Sequence, residues 1–255
     1  MGRIAIFAYG VVSYAIFFAT FLYAIGFVAN IGVPTTLDGP ATGSALWALV
    51  INVALLTLFA LQHSIMARPA FKQWWTRTVP PAAERSTYVL FSSLALALLF
   101  WAWQPMGGVI WNVSNPVLRG LLVGLCALGF GIVLVTTFLI NHFDLFGLRQ
   151  VWLHLHGREY TPLAFRTPGL YRYVRHPLYV GWFFAFWATP TMTAAHFLFA
   201  MMTTGYILAA IRLEERDLET AHPEYAAYRE SVPMLVPRVR GAAPAETPIR
   251  SRATA

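Results

Sequence analysis

The sequence predicts an all-α integral membrane protein of about five to six transmembrane helices, the last two closing as a C-terminal helical hairpin. Three observations predict it. Hydrophobic residues make up 58% of the chain and charged residues only 11%, against roughly 25% charged in ordinary soluble domains. Apolar runs recur at about the 20 residues an α-helix needs to cross a bilayer core of about 30 Å. The basic residues fall in alternate connections between those runs, the asymmetry that marks cytoplasmic loops.

The first run, Ile4 to Ile31, far exceeds the roughly 7 to 15 residues of a signal-peptide core and has no small-x-small cleavage site after it, so it is expected as a retained span. Ala45 to Met66, Thr87 to Trp103 and Val117 to Ile140 supply the next three. Leu178 to Thr189, bounded by Pro177 and Pro190, is too short to cross upright, and Thr193 to Ile211 is close to full length. The pair is expected as a tight hairpin passing through or partly through the membrane. Cys126, the single cysteine, lies inside the fourth run, where a small packing residue is the ordinary role, and it leaves no intrachain disulfide or thiolate cluster.

Arg3 precedes the first run; Arg68, Lys72, Arg77 and Arg85 separate the second from the third; Arg149, Arg158, Arg166, Arg172 and Arg175 separate the fourth from the hairpin. The other connections, Gly32 to Ser44 and Gln104 to Pro116, carry only Asp38. Both termini are therefore expected in the cytoplasm, in a multi-pass protein of a bacterial inner membrane. The net charge of +7 is dispersed in short segments and forms no basic face, which argues against nucleic acid as a partner. Beyond Ile211 the composition turns polar. The chain divides into spans over 1–140, a functional region over 141–237 comprising a cytoplasmic segment, the hairpin and a C-terminal helix, and a tail over 238–255 expected to be disordered. In that tail Arg238, Arg240, Arg250 and Arg252 either meet anionic lipid or are simply solvated.

Chemistry-bearing residues concentrate at one membrane face. In Tyr171-Arg172-Tyr173-Val174-Arg175-His176-Pro177-Leu178-Tyr179-Val180-Gly181, Pro177 suits the first position of a helix, which leaves His176 at its cap and Tyr179 one turn in. Free N–H groups at that helix start, with Arg175 and His176, favour an anion; headgroup anchoring is the alternative. Gly181 permits close approach by a ligand or a neighbouring helix. The hairpin returns Glu214 and Glu215 to the same face. Two carboxylates beside a cationic helix start make a bipolar pocket suited to a zwitterion such as the methionine part of S-adenosylmethionine, whereas ordinary salt bridges to Arg212 and Arg216 are the bland reading.

The Arg-His-Pro-x-Tyr-x-Gly run, the paired glutamates with Leu218, and Tyr225-x-x-Tyr228 followed by Val232-Pro233 and Val236-Pro237 together resemble the isoprenylcysteine carboxyl methyltransferase and phospholipid methyltransferase superfamily over roughly residues 165–237. The resemblance implies a cytoplasmic S-adenosylmethionine site framed by Arg175, His176, Pro177, Tyr179, Gly181, Glu214 and Glu215. Ala221-His222 replaces the Phe-Gly of many relatives, a departure confined to the local turn. Asn141 to Trp152 with Tyr160-Thr161-Pro162-Leu163 and Phe165 is similar to the thiol-methylating, methanethiol-using branch, which implies methanethiol as substrate and dimethyl sulfide as product.

Methyl transfer to a thiol requires positioning and a means of forming thiolate. His142, Asp144, Arg149 and Arg172 are the catalytic candidates, with Arg166 a further cation, and the sequence does not choose among them. Trp152, Tyr160 and Phe165 are candidates to line the substrate path. His154 and His156 flank Leu155 without acidic or cysteine partners at ligand spacing, so no metal is expected. The expected partners are a small thiol and membrane lipids. The rivals are methylation of a lipid or prenylcysteine-like substrate, and a non-enzymatic membrane protein of the denitrification-associated type, whether transporter or haem subunit. Transport would want charges mid-span, and a b-type haem would want histidines within spans, where only His63 and His196 come near.

Overall fold

In the computed structural model the described residues are 2–41 and 43–238; the tail expected to be disordered lies outside them from position 239, with Arg240, Arg250 and Arg252. Helices α1 (Arg3–Ala29), α2 (Ala45–Ala67), α4 (Pro81–Ala102), α5 (Pro116–Ile140) and α9 (Ala194–Ala221) are each long and apolar enough to cross a membrane. This is a multi-pass, all-α membrane protein. Short helices α3 (Pro69–Trp75), α6 (His142–Leu145), α7 (Leu148–Leu155) and α10 (Tyr225–Ser231) gather at one end of the bundle, where α8 (Pro177–Trp187) begins.

Local chemistry explains the boundaries. Proline stands at the start of α3, α4, α5 and α8, where its missing N–H is no loss. The Asn115 side chain accepts from the N–H groups of Val117 and Leu118 to cap α5, and α1 ends in a left-handed Asn30 whose N–H bonds Gly26 O, the usual αL stop. Outward positions such as Leu22, Leu46, Trp101, Leu121 and Val135 are exposed, as lipid-facing side chains must be. The main core joins α1, α2, α4, α5, α8 and α9 through Phe27, Leu56, Leu99, Phe130, Phe186 and Phe199.

Helix α8 packs on α5 through two glycines. A Cβ on Gly129 would lie 2.5 Å from Ala185 N and 2.6 Å from Gly181 O, and one on Gly181 would lie 2.7 Å from Gly129 O; only small residues allow backbones this close. Cys126 packs at the same seam, its Sγ 3.4 Å from Ala185 O.

The hairpin differs from a tight helix pair. At 11 residues, α8 covers about 17 Å, half a bilayer core, and the outward leg is completed by a turn at Ala188, where Thr189 N donates to Trp187 O at 3.0 Å, and by β2 (Thr191–Thr193). This strand pairs antiparallel with β1 (Val109–Asn112), Val109 opposite Thr193 and Asn112 opposite Thr191, with an irregularity between Val109 and Trp111. Backbone groups buried away from water must be paired, and these are: Trp111 Nε1 donates to Thr189 O at 3.2 Å and Val113 N to Pro190 O at 2.8 Å. At this far end Asp38 accepts from Thr193 Oγ1 at 2.6 Å and from His196 Nδ1 at 2.8 Å, and His196 Nε2 donates to Phe186 O at 2.9 Å. Burial alone would raise the Asp38 carboxyl; its bonds to and charge pairing with His196, with the Thr193 and Asn30 donors, outweigh burial and hold it below the usual carboxylate range. His196 is thus occupied in stapling the α1–α2 connection to the hairpin.

Candidate functional site

A cavity of about 1620 Å³ opens at the end of the bundle that carries the short helices and runs inward as far as Phe100 and Phe199. Ligand pockets usually measure about 300–1,000 Å³, so this one has room for more than a single small molecule. His176, Tyr179, Glu214, Tyr171 and Tyr228 stand at its mouth.

The mouth is built on the start of α8. The C-terminal segment folds back so that Arg175 N donates to Pro233 O at 2.9 Å and His176 N to Met234 O at 3.2 Å. Arg175 is then locked from three sides: Nε donates to Glu215 Oε1 at 2.8 Å, and Nη1 to Arg229 O and Val232 O. Glu215, 6% exposed, also meets His176 Nε2 at 3.0 Å and accepts from Tyr225 OH at 3.4 Å. It is a buried hub that joins the starts of α8 and α10 to α9. Glu214 is its neighbour in sequence, but one residue of helix turns it about 100°. Its side chain is 46% exposed, with Oε2 4.0 Å from His176 Nδ1, and it accepts from Tyr179 OH at 2.9 Å.

Phe165 is brought into this wall, its ring 5.7 Å from Tyr225 and 5.5 Å from Tyr228. Tyr228 OH donates to Tyr171 O at 2.6 Å. Burial first, and then the Glu214 charge for Tyr171 and the Glu215 charge for Tyr225, raise these phenols, so both stay neutral hydroxyls at neutral pH. Arg229, in turn, has its pKa raised by its hydrogen bond to and charge pairing with Glu219.

The preceding segment forms a second cluster. Arg149 Nη1 donates to Asp144 Oδ1 at 2.8 Å and to Thr161 O at 3.0 Å, Tyr160 OH donates to Asp144 Oδ2 at 3.3 Å, and the guanidinium lies 5.1 Å above the Tyr160 ring. Burial and then the Asp144 charge push the Tyr160 phenol up. Asp144 and Tyr160 border the cavity, while Arg149 lies behind them and pins the connection after α7. His142 also borders it, only 2% exposed, with its ring stacked 4.1 Å from Phe138. Thr137 Oγ1 donates to Leu134 O, so His142 Nδ1 must donate to Thr137 at 2.8 Å, which leaves Nε2 to accept from Tyr14 OH at 2.9 Å. Burial lowers its pKa, and the ring is neutral at pH 7.

Several sequence candidates lie off the cavity wall. Trp152 faces outward against Phe7 and His156, Gly181 faces α5, and Pro177, Arg172 and Glu215 do not border the cavity. Their places are explained by helix rotation and packing, which sequence spacing does not report. Among the described residues no three His, Cys, Asp or Glu side chains converge as a metal site requires.

One group escaped sequence reasoning, which treats His63 only as a haem ligand. On the cavity wall His63 from α2, Tyr88 and Ser92 from α4 and Tyr206 from α9 meet. The signal that finds them is an ionisable side chain inside an apolar span.

Comparison with known proteins gives two findings. Residues 51–232 match the family model described as NnrU protein. The chain is also similar to curated methanethiol S-methyltransferases: 58% identical over 238 residues to that of Crocosphaera subtropica, covering 93% of each chain; 53% over 232 residues to methanethiol S-methyltransferase 1 of Bradyrhizobium diazoefficiens, covering 91% of this chain and 81% of the relative; and 52% over 238 residues to that of Mycobacterium tuberculosis, covering 93% and 98%. No solved structure matches the chain.

Proposed function

The chain belongs to the NnrU protein family, alongside relatives named methanethiol S-methyltransferase, and from that premise we propose that it methylates methanethiol to dimethyl sulfide with S-adenosylmethionine as donor. It works as an inner-membrane enzyme with its cavity mouth in the cytosol. The observation that carries the reading is the continuity of one cavity from a carboxylate-, imidazole- and phenol-lined mouth to an aromatic interior.

The residues fit the donor. Glu214, with Tyr179 and His176 beside it, would take the ammonium end of the methionine part, and Phe165, Tyr171 and Tyr228 offer the aromatic wall a nucleoside needs. Arg175, Pro177, Gly181 and Glu215 keep the helix start in place. When bound, the donor supplies an electrophilic sulfonium methyl. The protein's own task is to hold the thiol in line with it, exclude water and dispose of the thiol proton. Phe17, Phe21, Phe59, Leu99 and Phe199 line the inner cavity and serve the second purpose.

A substrate of two heavy atoms has little binding energy to offer, at most about 1.5 kcal/mol per atom, so affinity is weak and selection is by size. Cells expressing the protein and fed methanethiol should release dimethyl sulfide into the headspace above an empty-vector strain, and longer alkyl thiols should react more slowly. Folded protein present in the membrane with no dimethyl sulfide formed would defeat this reading and favour a lipid or prenylcysteine-like substrate.

A further inference from the structure

We propose that His63 is the general base that takes the thiol proton during methyl transfer, an inference that rests on the proposed thiol-methylating reaction and names the residue that completes it. His63 lies four residues before the end of α2 at Ala67, inside the apolar run, and it lines the cavity. Tyr88 OH lies 2.8 Å from Nε2 and 3.2 Å from Nδ1, and Ser92 Oγ lies 3.1 Å from Nδ1. Phe59 stacks on the ring at 5.2 Å and Tyr206 meets it edge-on at 6.4 Å. Ionisable side chains at membrane depth are costly to keep and usually face a cavity or pathway for functional reasons.

Position distinguishes His63 from the other buried polar groups. Asn52 is also inside α2, but it is fully buried, closes on the Gln104 backbone and does not border the cavity. His142 borders the cavity too, and its two nitrogens, like those of His63, lie against hydroxyls, Thr137 and Tyr14; what sets His63 apart is that it lies within a membrane span, beside Tyr206. The partners of His63 are hydroxyls, each able to donate or accept, so the ring can gain a proton without stranding a neighbour. Tyr206 is two turns, about 12 Å, deeper on α9 than Glu214, and it is Tyr206 that His63 meets. The imidazole therefore faces the cavity interior beyond the carboxylate of the proposed donor site, leaving the space between them for the reacting groups. The charged and titratable groups facing it are Tyr88 and Arg85 from α4, whose guanidinium lies 4.9 Å over the Tyr88 ring, Tyr206 from α9, and, nearer the mouth, Glu214 and the Arg68–Asp217 pair at 2.9 Å.

The S–H bond of methanethiol breaks, its proton passes to an imidazole nitrogen, and its electron pair forms the new S–CH3 bond. The electron pair of the donor's S–CH3 bond stays with the donor sulfur, so the sulfonium charge disappears and one positive charge appears on the imidazolium. That proton is then released to water through the cavity mouth.

The test compares His63→Gln with the wild-type protein in detergent, using methanethiol and methaneselenol, a nucleophile of similar size that is already anionic at neutral pH. Calorimetry should find S-adenosylmethionine affinity within about twofold of wild type, while methanethiol turnover falls about 100-fold or more, the ordinary contribution of a general base. Methaneselenol turnover should fall by no more than about fivefold, because no proton need be removed. Equal loss of both nucleophiles with the donor still bound, or methanethiol turnover kept within about fivefold, would overturn the proposal. If His63→Gln does not fold, Tyr88→Phe removes the hydroxyl that supports the base and should still lose more methanethiol than methaneselenol turnover; equal losses would again refute it. Wild-type protein that neither binds the donor nor yields dimethyl sulfide would instead sink the underlying reaction.

Discussion

Two adjacent glutamates illustrate how much a single residue's rotation decides. Glu215 is buried against Arg175, His176 and Tyr225, whereas Glu214 looks into the cavity, accepting from Tyr179 OH with His176 Nδ1 4.0 Å away. Removing the charge from Glu215 leaves the Arg175 guanidinium buried without its counter-ion, a loss of about 2–3 kcal/mol once screening by the nearby rim is allowed for. Glu215→Gln should therefore melt at clearly lower temperature in detergent. Glu214→Gln should melt as wild type does but lose about 10- to 100-fold in S-adenosylmethionine affinity by calorimetry, the scale of one charge-assisted contact. The opposite assignment of the two effects would move the donor site elsewhere. The sequence makes the pair visible and its proximity to His176 inferable, since the hairpin must return α9 to the start of α8. It does not reveal which carboxylate faces inward, because neighbouring helix positions differ by about 100° and the apolar composition of α9 leaves its buried face unmarked. The same ignorance of rotation places Trp152 among the cavity candidates and leaves His63 out.

At the scale of elements, the long spans are legible because membrane crossing imposes a length that composition reveals. The hairpin's outer half is not. Thr191 to Thr193 is a strand because it pairs with β1, about 80 positions away, Asn112 against Thr191, and short apolar runs cannot be told apart by periodicity. What anchors the inner half is the glycine contact between α5 and α8. A Cβ added at Gly129 would lie 2.5 and 2.6 Å from backbone atoms of Ala185 and Gly181, clashes no side-chain rotation can relieve, whereas Gly120 and Gly124 on the same helix have open space around them. Gly129→Ala should push α8 off α5, displace His176 and Tyr179, and lower both thermal stability and donor binding. Gly120→Ala and Gly124→Ala should be neutral or gain up to about 1 kcal/mol from helix propensity. Equal melting temperatures for all three variants would show that the helices tolerate separation and that the close approach does not fix the site.

For the molecule as a whole, the decisive property is which end faces the cytosol, because the proposed donor is a cytosolic metabolite and the cavity has its mouth at one end. The short helices, the start of α8 and α10 share that end with Arg3, Arg68, Lys72, Arg77, Arg149, Arg158, Arg166 and Arg175. Among the described residues, the opposite end holds the paired β1 and β2, Asp38, His196 and one Lys or Arg, Arg119, whose guanidinium is spent on Val113 O and Asn112 Oδ1. So strong an excess of Lys and Arg sets orientation during insertion, and it predicts the mouth inside. In a Cys126→Ala background, a membrane-impermeant maleimide added to intact cells should label Ser44→Cys and Ser114→Cys, both on exposed connections at the far end. It should leave Arg158→Cys and Ala226→Cys, exposed at the mouth end, unlabelled until the cells are broken. Labelling in the reverse order would turn the cavity mouth away from the cytosolic donor, and with it would fall the proposal that Glu214, Tyr179 and His176 hold S-adenosylmethionine.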